Sequence, residues 1–563
     1  MNKTRLAPLS ALTLALVSIP SLQAATYQVI ELPTDELSRN SYSETMNNSG
    51  EFLATLEFKY NPPINVDLLN LESQTLIDGL TDIDAVADGN INAEDLAFLY
   101  SLLQNNAGNY LFQQIGTYTS AKGNENAVNL ISGFDIQIPE LAELSNSVTT
   151  YAFGINDNGW VVGAGSAPYQ TLSYFNENDV ELKLQIRDFS LRAYVDINGN
   201  TVPLLPPEES LGGRSEARDI NDNNEVVGAA TIAISEATQE AIDNCEDDET
   251  RGDVPLEYCL QNITSSASFE TRAAYWKLNA EGQVIETKTF DMLAEPDDDS
   301  TRFYTSRAKA INNEGIIVGS SDDIYQGPDM SVSGYGRFVK GSSIITFATI
   351  FNDEGPIGFT NHDDYFTSEA VGINDNNLVI GQASKQINGY VRQKFFVHDI
   401  DNNETIYPKD FFSGSSSVAK GINNNDLVVG DGEVDSGLGI NRRRHGFIYD
   451  YNEQSFTDLN DTIACDSPYT IVQANDINDF NEIIGTALIK KDLLNIAGEP
   501  LLNQDGSQAQ SEVVVSVKLV PIAGGSIESC QVDDEDKYQR KAGSTGIWLI
   551  LFAGLSMLLR RKI

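Results

Sequence analysis

Apolar and polar positions recur in one pattern along most of the chain. The unit reads Ala-x-x-Ile-Asn-[Asp/Asn], then three variable residues, two β-branched apolar residues and Gly. Full copies span residues 152–163, 217–228, 308–319, 370–381, 419–430 and 474–485, and a degenerate copy spans 43–54. Self-similarity of this kind predicts an architecture built from stacked repeats.

Each copy predicts two strands around a tight turn, because Asn, Asp and Gly tolerate the positive φ angles that such turns require. The Val/Ile pair then begins a buried strand. An aromatic strand follows the full copies, at residues 192–195, 274–276, 337–339, 395–397 and 446–449. Further turns and apolar residues after several of these strands predict a unit of four short antiparallel strands.

The spacing between copies selects the architecture. The seven copies start 49 to 109 residues apart, and the shortest spacing matches a four-stranded propeller blade with its loops. A blade cannot bury both faces alone, whereas a ring of blades protects nearly all strand edges. We therefore predict an all-β protein, a β-propeller of about seven four-stranded blades. Six or eight blades are the neighbouring counts, and a sandwich or an open β-solenoid is the structural alternative.

The two ends of the repeat region predict how the ring closes. The last repeat ends with the strand at residues 512–519 and lacks a fourth strand, while residues 26–32 form a strand without a repeat of their own. We hypothesise that this N-terminal strand completes the last blade, in keeping with the tendency of domain termini to lie close together.

The chain ends predict export. Residues 1–24 show the basic start, apolar core and small-residue cleavage site of a secretory signal peptide. A first transmembrane helix is the alternative, although prolines and hydroxyl residues interrupt the apolar run. The propeller is assigned to residues 25–62 and 105–525, and a polar linker to 526–541.

Residues 542–563 combine small residues, a short apolar run and a basic stop. This tail resembles the GlyGly-CTERM sorting signals of Gram-negative bacteria. The resemblance implies membrane insertion through the tail, cleavage by a rhomboid-type intramembrane protease, and location at the cell surface, in the outer membrane or in the medium. A simple C-terminal membrane anchor is the alternative.

Charge excludes one class of partner. The two predicted processed ends hold five basic and no acidic residues, so 31 Lys and Arg face 82 Asp and Glu, and the mature net charge is near −51. Phosphate binding needs concentrated basic residues, so we expect no nucleic-acid partner. The acidic surface favours solubility and attracts cations.

The four cysteines permit disulfides in an exported protein. Cys245 with Cys259 would close a short acidic loop, and Cys465 with Cys530 would tie the last repeat to the segment before the tail. Three pairings are possible. Structural zinc is not expected, because CxxC spacing is missing from the sequence.

The repeat resembles that of the HAF-repeat family of bacterial extracellular proteins. That family pairs an Ala-x-x-Ile-Asn-x-x-Gly-x-Val-Val-Gly segment with a later His-Ala-Phe strand. Here the second part reads Arg-Ala-Tyr at 192–194, Gly-Arg-Phe at 336–338 and His-Gly-Phe at 445–447. The resemblance covers most of residues 26–521. It implies a propeller-like surface protein and transfers no catalytic residue.

An insertion in the first repeat, assigned to residues 63–104, holds one candidate ion site. Residues 84–96 follow the order of an EF-hand or dockerin calcium loop, with acids at positions 1, 5 and 12 and Gly at position 6. The loop looks like half of a dockerin. The predicted calcium ligands are Asp84, Asp88, the backbone carbonyl of Asn90, Asn92 and Asp95. An apolar helical face follows.

Val86 departs from the calcium loop because it places no oxygen at position 3. Calcium binding should therefore be weak, and the missing second copy argues against a dockerin-type partner. The alternative is an acidic helix entry, with Asn92 as the N-cap and Glu94 and Asp95 in the first turn. Sequence alone leaves both interpretations open.

The sequence predicts no catalytic residue. It contains no Gly-x-Ser-x-Gly, no His-Glu-x-x-His and no Gly-rich phosphate loop. We expect a non-enzymatic binding module for a glycan or a surface protein. The alternative is an extracellular polysaccharide hydrolase or lyase, because 82 acidic residues could supply a carboxylate pair near a central channel.

Overall fold

A computed structural model describes residues 26–527, except 37, 139–142, 295–302, 326–329, 333–336, 340–342, 362–363 and 438–441. The predicted signal peptide and sorting tail lie outside the described residues, as does Cys530. No helix within the described ranges is long and apolar enough to cross a membrane.

The repeat builds seven four-stranded antiparallel sheets, which we number as blades I to VII in chain order. Blade I comprises Ser38–Met46, Phe52–Lys59, Thr119–Asn124 and Ala127–Ile131. Blade II comprises Thr150–Ile155, Val161–Gly165, Arg192–Ile197 and Asn200–Leu204. Blade III comprises Ser215–Ile220, Glu225–Ile234, Phe269–Leu278 and Val284–Thr289. Blade IV comprises Ser306–Ile311, Ile317–Ile324, Ile344–Phe351 and Ile357–Gly358.

Blade V comprises Thr367–Ile373, Leu378–Ile387, Tyr390–Asp399 and Glu404–Ile406. Blade VI comprises Ser417–Ile422, Leu427–Glu433, Arg444–Asp450 and Ser455–Asp458. Blade VII comprises Thr470–Ile477, Ile483–Asp492, Gln510–Pro521 and, as its fourth strand, Tyr27–Glu31. The prediction of a propeller with seven four-stranded blades is confirmed.

The N-terminal strand closes the ring. Tyr27–Glu31 pairs antiparallel with Gln510–Pro521, with Tyr27 opposite Pro521. The backbone N–H of Thr26 also donates to the carbonyl of Thr462, at 2.8 Å. The outer edge of the last blade is therefore completed by the first strand of the chain, as hypothesised from the orphan strand.

The Val/Ile pair of the repeat is buried because successive residues of a strand face opposite sides of the sheet. In blade III, Val226 packs with Val162 and Trp276 toward blade II. Its neighbour Val227 packs with Phe290 and Ala308 toward blade IV. Both faces of each blade are thus covered by the adjacent blades, which requires two consecutive apolar residues.

A β-bulge recurs in the first strand of every blade, directly after the first position of the repeat, which is alanine in six blades and Ser43 in blade I. In blade III the register shifts between Ala217 and Asp219. The bulge brings the first strand against the glycine that ends the repeat, and a Cβ on Gly228 would lie 1.8 Å from the carbonyl oxygen of Glu216. The terminal glycine is therefore needed for this close backbone approach.

One strand assignment is wrong. The aromatic segment 337–339 pairs with Met330–Val332 in a separate hairpin. The third strand of blade IV is Ile344–Phe351, whose Phe347 and Ala348 are buried. The two segments have the same local pattern, so only pairing with the second strand of the blade distinguishes them.

The long connections leave the propeller at one face, which we call the insertion face. They join the second and third strands of a blade, and the longest belong to blade I (60–118), blade II (166–191) and blade III (235–268). Blade I carries a 3-10 helix, Val66–Leu68, and helices α1 (Gln74–Gly79), α2 (Ile83–Ala87) and α3 (Ala93–Asn105). Blade III carries α4 (Glu236–Glu246), α5 (Asp248–Arg251) and α6 (Leu256–Thr264).

Blade II carries a hairpin of Gln170–Phe175 and Glu181–Ile186, and a two-stranded piece, Gln137–Ile138 with Glu143–Leu144, precedes that blade. Two further 3-10 helices lie at Ser210–Gly212 and Leu459–Asp461. A disulfide between Cys245 and Cys259 joins α4 to α6, in agreement with one of the pairings considered.

Candidate functional site

The first strands of the seven blades surround a central channel. The Ile-Asn-[Asp/Asn] segments of six copies, and Met46-Asn47-Asn48 of the degenerate copy, line the mouth opposite the insertion face. The residues directly after the repeat alanine line a chamber closer to the insertion face. Residues of all seven repeats therefore converge on the channel.

The asparagine of each repeat forms an asparagine ring, made of Asn47, Asn156, Asn221, Asn312, Asn374, Asn423 and Asn478. Each of these side chains is 3–5% exposed. In six of them Nδ2 donates to the backbone carbonyl of the equivalent asparagine in the next blade, at 2.9–3.1 Å. Nδ2 of Asn478 donates to Glu482. Oδ1 of each asparagine accepts from backbone N–H groups of its own turn, so this residue both shapes the turn and joins adjacent blades.

The next residue forms a second circle, the Asx ring, made of Asn48, Asp157, Asp222, Asn313, Asp375, Asn424 and Asp479. The backbone N–H of each member donates to Oδ1 of the member in the next blade, at 2.8–3.0 Å. The seventh bond, from Asp479 to Asn48, closes the circle. The side chains of Asn48, Asn313 and Asn424 also donate to carboxylates on both sides. The four aspartates of this mouth are therefore held in bonds between blades.

Two half-buried carboxylates, Asp219 and Asp476, lie in the throat between mouth and chamber. Asp219 accepts from the backbone N–H of Ile311 in the next blade, at 2.9 Å, and Asp476 accepts from that of Met46, at 3.2 Å. Burial raises the pKa of Asp219 to about 6, helped by the charge of Asp476 and opposed by the backbone N–H bonds. Burial likewise raises the pKa of Asp476. Each residue therefore joins two adjacent blades.

The chamber has a volume of about 380 Å³ and carries both signs of charge. Its basic side chains each pair with a carboxylate: Arg218 with Glu216, Lys309 with Glu369, and Lys420 with Asp431. Glu44 reaches the same space. Burial raises the pKa of Glu44, although Thr55, Lys420 and Arg218 each lower it. The chamber can therefore offer paired hydrogen-bond donors and acceptors to a polar ligand.

The predicted calcium residues are only partly brought together. Asn92 caps α3, since its Oδ1 accepts from the N–H groups of Glu94 and Asp95, both at 2.9 Å. Asp84 lies in the first turn of α2, Asp88 caps the end of that helix, and Asn90 lies in the exposed turn that follows. Val86, at position 3 of the loop, is fully buried against Leu76 and Leu99. This geometry agrees with the helix-entry alternative.

Asp95 is buried and accepts hydrogen bonds on both oxygens. Thr81 donates its backbone N–H to one oxygen and its hydroxyl to the other, and Asn92 donates at 2.8 Å. Burial alone would raise the pKa of Asp95, but these bonds together hold it below its usual value. Across the described ranges no group of three or more His, Cys, Asp or Glu could hold a metal ion. Calcium binding at this loop stays a prediction.

The insertions of three blades contact one another on the insertion face. The backbone N–H of Gln185 donates to the carbonyl of Tyr110, at 2.7 Å, which joins blades II and I. The backbone N–H of Arg187 donates to Oε1 of Gln261 on α6, also at 2.7 Å. A small cavity lies at this junction, lined by Arg187 and Arg214 among others. Sequence reasoning missed this site because its residues come from separate insertions.

The fold and the channel define a class of protein, a seven-bladed β-propeller whose repeat motif joins the blades and whose insertions build one face. The chain belongs to the family described as "Protein of unknown function (DUF3466)", which matches residues 6–562. No curated relative matches the chain. The resemblances to HAF repeats and to GlyGly-CTERM tails stay predictions.

Several solved structures are similar to the chain at low identity. One is the acylaminoacyl peptidase of Pyrococcus horikoshii, with 12% identity, a TM-score of 0.36, and coverage of 85% of this chain and 54% of the peptidase. The chain thus spans about half the length of that enzyme. Another is the β-propeller domain of the trilobed protease from Pyrococcus furiosus, with 12% identity, a TM-score of 0.35, and 84% and 96% coverage. A third is the polysaccharide lyase Uly1, with 9% identity, a TM-score of 0.38, and 88% and 99% coverage.

Proposed function

We propose that the protein is an exported, non-enzymatic binding module that holds a glycan or a cell-surface protein at its insertion face. The observation that carries this proposal is a difference between the two faces of the propeller. The repeat residues at one mouth are engaged in bonds between blades, while the insertions concentrate at the other face. Loops on a rigid scaffold are where binding residues accumulate.

The aspartates of the repeat support a structural role for that mouth. Asp157 and Asp222 are neighbouring carboxylates of the Asx ring and form the kind of acidic pair that a glycosidase would need. However, Oδ1 of Asp222 accepts from the backbone N–H of Asp157, at 2.9 Å, and the other aspartates are tied in the same way. A catalytic role would compete with the bonds that join the blades.

A polysaccharide hydrolase or lyase is the second candidate, and the chamber is the observation that favours it. Glu44, Lys309 and Lys420 place acidic and basic side chains around one cavity, as general acid–base chemistry requires. The throat adds Asp219, whose pKa of about 6 suits proton transfer near neutral pH.

One screen separates the two candidates. The purified mature protein is applied to a glycan array and, in parallel, incubated with the glycans that it binds, with and without chelator. The binding-module proposal expects retention without new reducing ends or unsaturated products. Product release that is lost in the variants Glu44→Gln or Lys420→Gln would establish the enzyme.

Export is tested separately. We expect the mature N-terminus at or near Ala25 and the protein in the outer-membrane or extracellular fraction, as determined by peptide sequencing after cell fractionation. A chain that keeps residues 1–24 in the cytoplasmic fraction would contradict export.

A further inference from the structure

The cavity at the junction of the insertions has an unusual charge for this protein. Its volume is about 80 Å³, and Arg187 and Arg214 both line its wall. The whole chain has a formal net charge of −46. The two arginines therefore make this cavity locally basic in a protein that is acidic overall.

Among the residues that the structure describes, neither arginine has a carboxylate partner. Within the described part of the chain, no carboxylate oxygen lies within 4.0 Å of Arg187 or Arg214. The chamber residues Arg218, Lys309 and Lys420 differ in this respect, because each is paired. The positive charge at the junction is therefore available to a ligand.

Aromatic rings hold the two guanidinium groups. Arg187 lies over the ring of Tyr169, 4.9 Å from its centroid, and Arg214 lies over the ring of Phe269, at 4.7 Å. Stacking of this kind orients the planar guanidinium while leaving its N–H groups free to donate. Burial lowers the pKa of Arg214, and the charge of Arg187 lowers it further, so the two groups are close enough to repel each other. A bound anion would relieve this repulsion.

A neutral donor completes the wall. Oγ of Ser190 is buried, and it has no hydrogen-bond partner among the residues that the structure describes. An unsatisfied buried hydroxyl costs free energy unless a ligand bonds it. Leu211, on the same wall, holds a φ of 54°, a conformation that costs a leucine energy and is found mostly where a site demands it. Asp188 also lies on the wall, is exposed, and interacts electrostatically with Arg192.

We propose that this cavity binds one carboxylate or sulfate group of an acidic polysaccharide, with Arg187 and Arg214 as charged donors and Ser190 as a neutral donor. The volume suits a single oxyanion, which an arginine pair recognises through parallel N–H bonds. The half-buried ring of Tyr110 lines the cavity and suits the C–H face of a sugar ring better than a flexible peptide. The inference rests on the proposed binding function and names the class of its ligand.

Calorimetric titration of the mature protein tests the site with defined probes. Tetragalacturonate, a neutral glucose tetrasaccharide, tetraglutamate and sodium sulfate are compared at constant ionic strength. We expect tetragalacturonate to bind and the neutral tetrasaccharide to bind at least tenfold more weakly. Arg187→Gln and Arg214→Gln should each weaken tetragalacturonate about tenfold, and the double variant about a hundredfold. Arg307→Gln, which removes an exposed arginine of blade IV, is the matched control and should bind as wild type does.

The outcomes separate this inference from the proposed function. Tetragalacturonate affinity that stays within threefold of wild type in the folded double variant would overturn the anion site and leave the binding module intact. Loss of sulfate binding in the double variant, in a protein that retains no glycan on the array, would support the anion site and refute glycan binding as the proposed function. Tighter binding of tetraglutamate than of tetragalacturonate at the same arginines would overturn the saccharide assignment. Circular dichroism confirms that each variant is folded.

Discussion

Replacing one member of the asparagine ring tests whether the repeat asparagines stabilise the protein by joining adjacent blades. Asn374 is 4% exposed. Its Oδ1 accepts from the backbone N–H groups of Asn376, at 3.1 Å, and Leu378, at 2.9 Å. Its Nδ2 donates to the carbonyl of Asn423, at 3.0 Å, and to Oδ1 of Asp426, at 3.0 Å. The change Asn374→Ala removes all four bonds.

The magnitude follows from the groups left behind. The carbonyl of Asn423 and the N–H of Leu378 belong to buried residues and lose a partner. Each unsatisfied buried group costs about 1–3 kcal/mol, so Asn374→Ala should lower the free energy of unfolding by about 2–6 kcal/mol. The assay is urea unfolding of the mature protein, followed by circular dichroism and by the fluorescence of the buried Trp276, with the midpoint and the slope compared between variants.

Asn376→Ala is the matched control, in the same turn. Asn376 is exposed, although its Nδ2 donates to the carbonyl of Asn424, at 3.0 Å. Water can replace an exposed bond, so we expect a change within about 0.5 kcal/mol. A loss of stability in Asn374→Ala no larger than that in Asn376→Ala would refute the linking role of the ring.

Three further predictions concern the throat, the closing strand and the helical insertion. The folded pKa of Asp219, about 6, lies above its ordinary value of 3.8, so its contribution to stability is present at low pH and is lost as the pH rises through 6. The stability of wild type minus that of Asp219→Asn should therefore fall between about pH 4 and pH 7, and a difference independent of pH would contradict the raised pKa. Deletion of residues 26–32 removes the fourth strand of blade VII and should lower the melting temperature by several degrees, whereas an unaltered temperature would refute closure by this strand. Calcium at millimolar concentration should raise the melting temperature of wild type and have a smaller effect on that of Asp88→Asn. The change Asn92→Ala should lower the free energy of unfolding by about 1 kcal/mol with or without calcium, because Asn92 caps α3. Equal melting curves with calcium and with chelator would exclude the ion site.

Structural features that depend on a few neighbouring residues could be predicted from the sequence. The turn of each repeat needs a residue that tolerates positive φ, and Gly159, Asn224 and Asp426 are among those that adopt it. The pairing of the N-terminal strand, residues 26–32, was also predictable, because the last blade lacked a fourth strand and an open sheet edge needs a pairing partner. The segment 337–339 was misplaced because a strand in an insertion has the same short pattern as a strand in a blade.

The candidate sites depend on positions that are distant in the chain. Arg218, Lys309 and Lys420 occupy the same position in three repeats, but the sequence does not show that the β-bulge turns this position into the channel. The acid order at residues 84–95 suits both a calcium loop and a helix entry. The structure distinguishes their contacts, because it places Val86 in the core of the insertion and bonds Asp95 to Thr81.

The sequence by itself predicted a ring of about seven blades, the turn between the first two strands and the strand that closes the ring, and the structure fixed the number of blades at seven. These features follow from strand alternation, turn chemistry and the need to pair every edge, all of which are local or topological. Only the tertiary structure decided which side chains meet. The seven-membered Asx ring and the Arg187–Arg214 cavity bring together residues that are far apart in the sequence, and no local pattern records those contacts. The repeat asparagine, which the sequence shows only as a turn residue, also joins adjacent blades at six of the seven junctions of the ring.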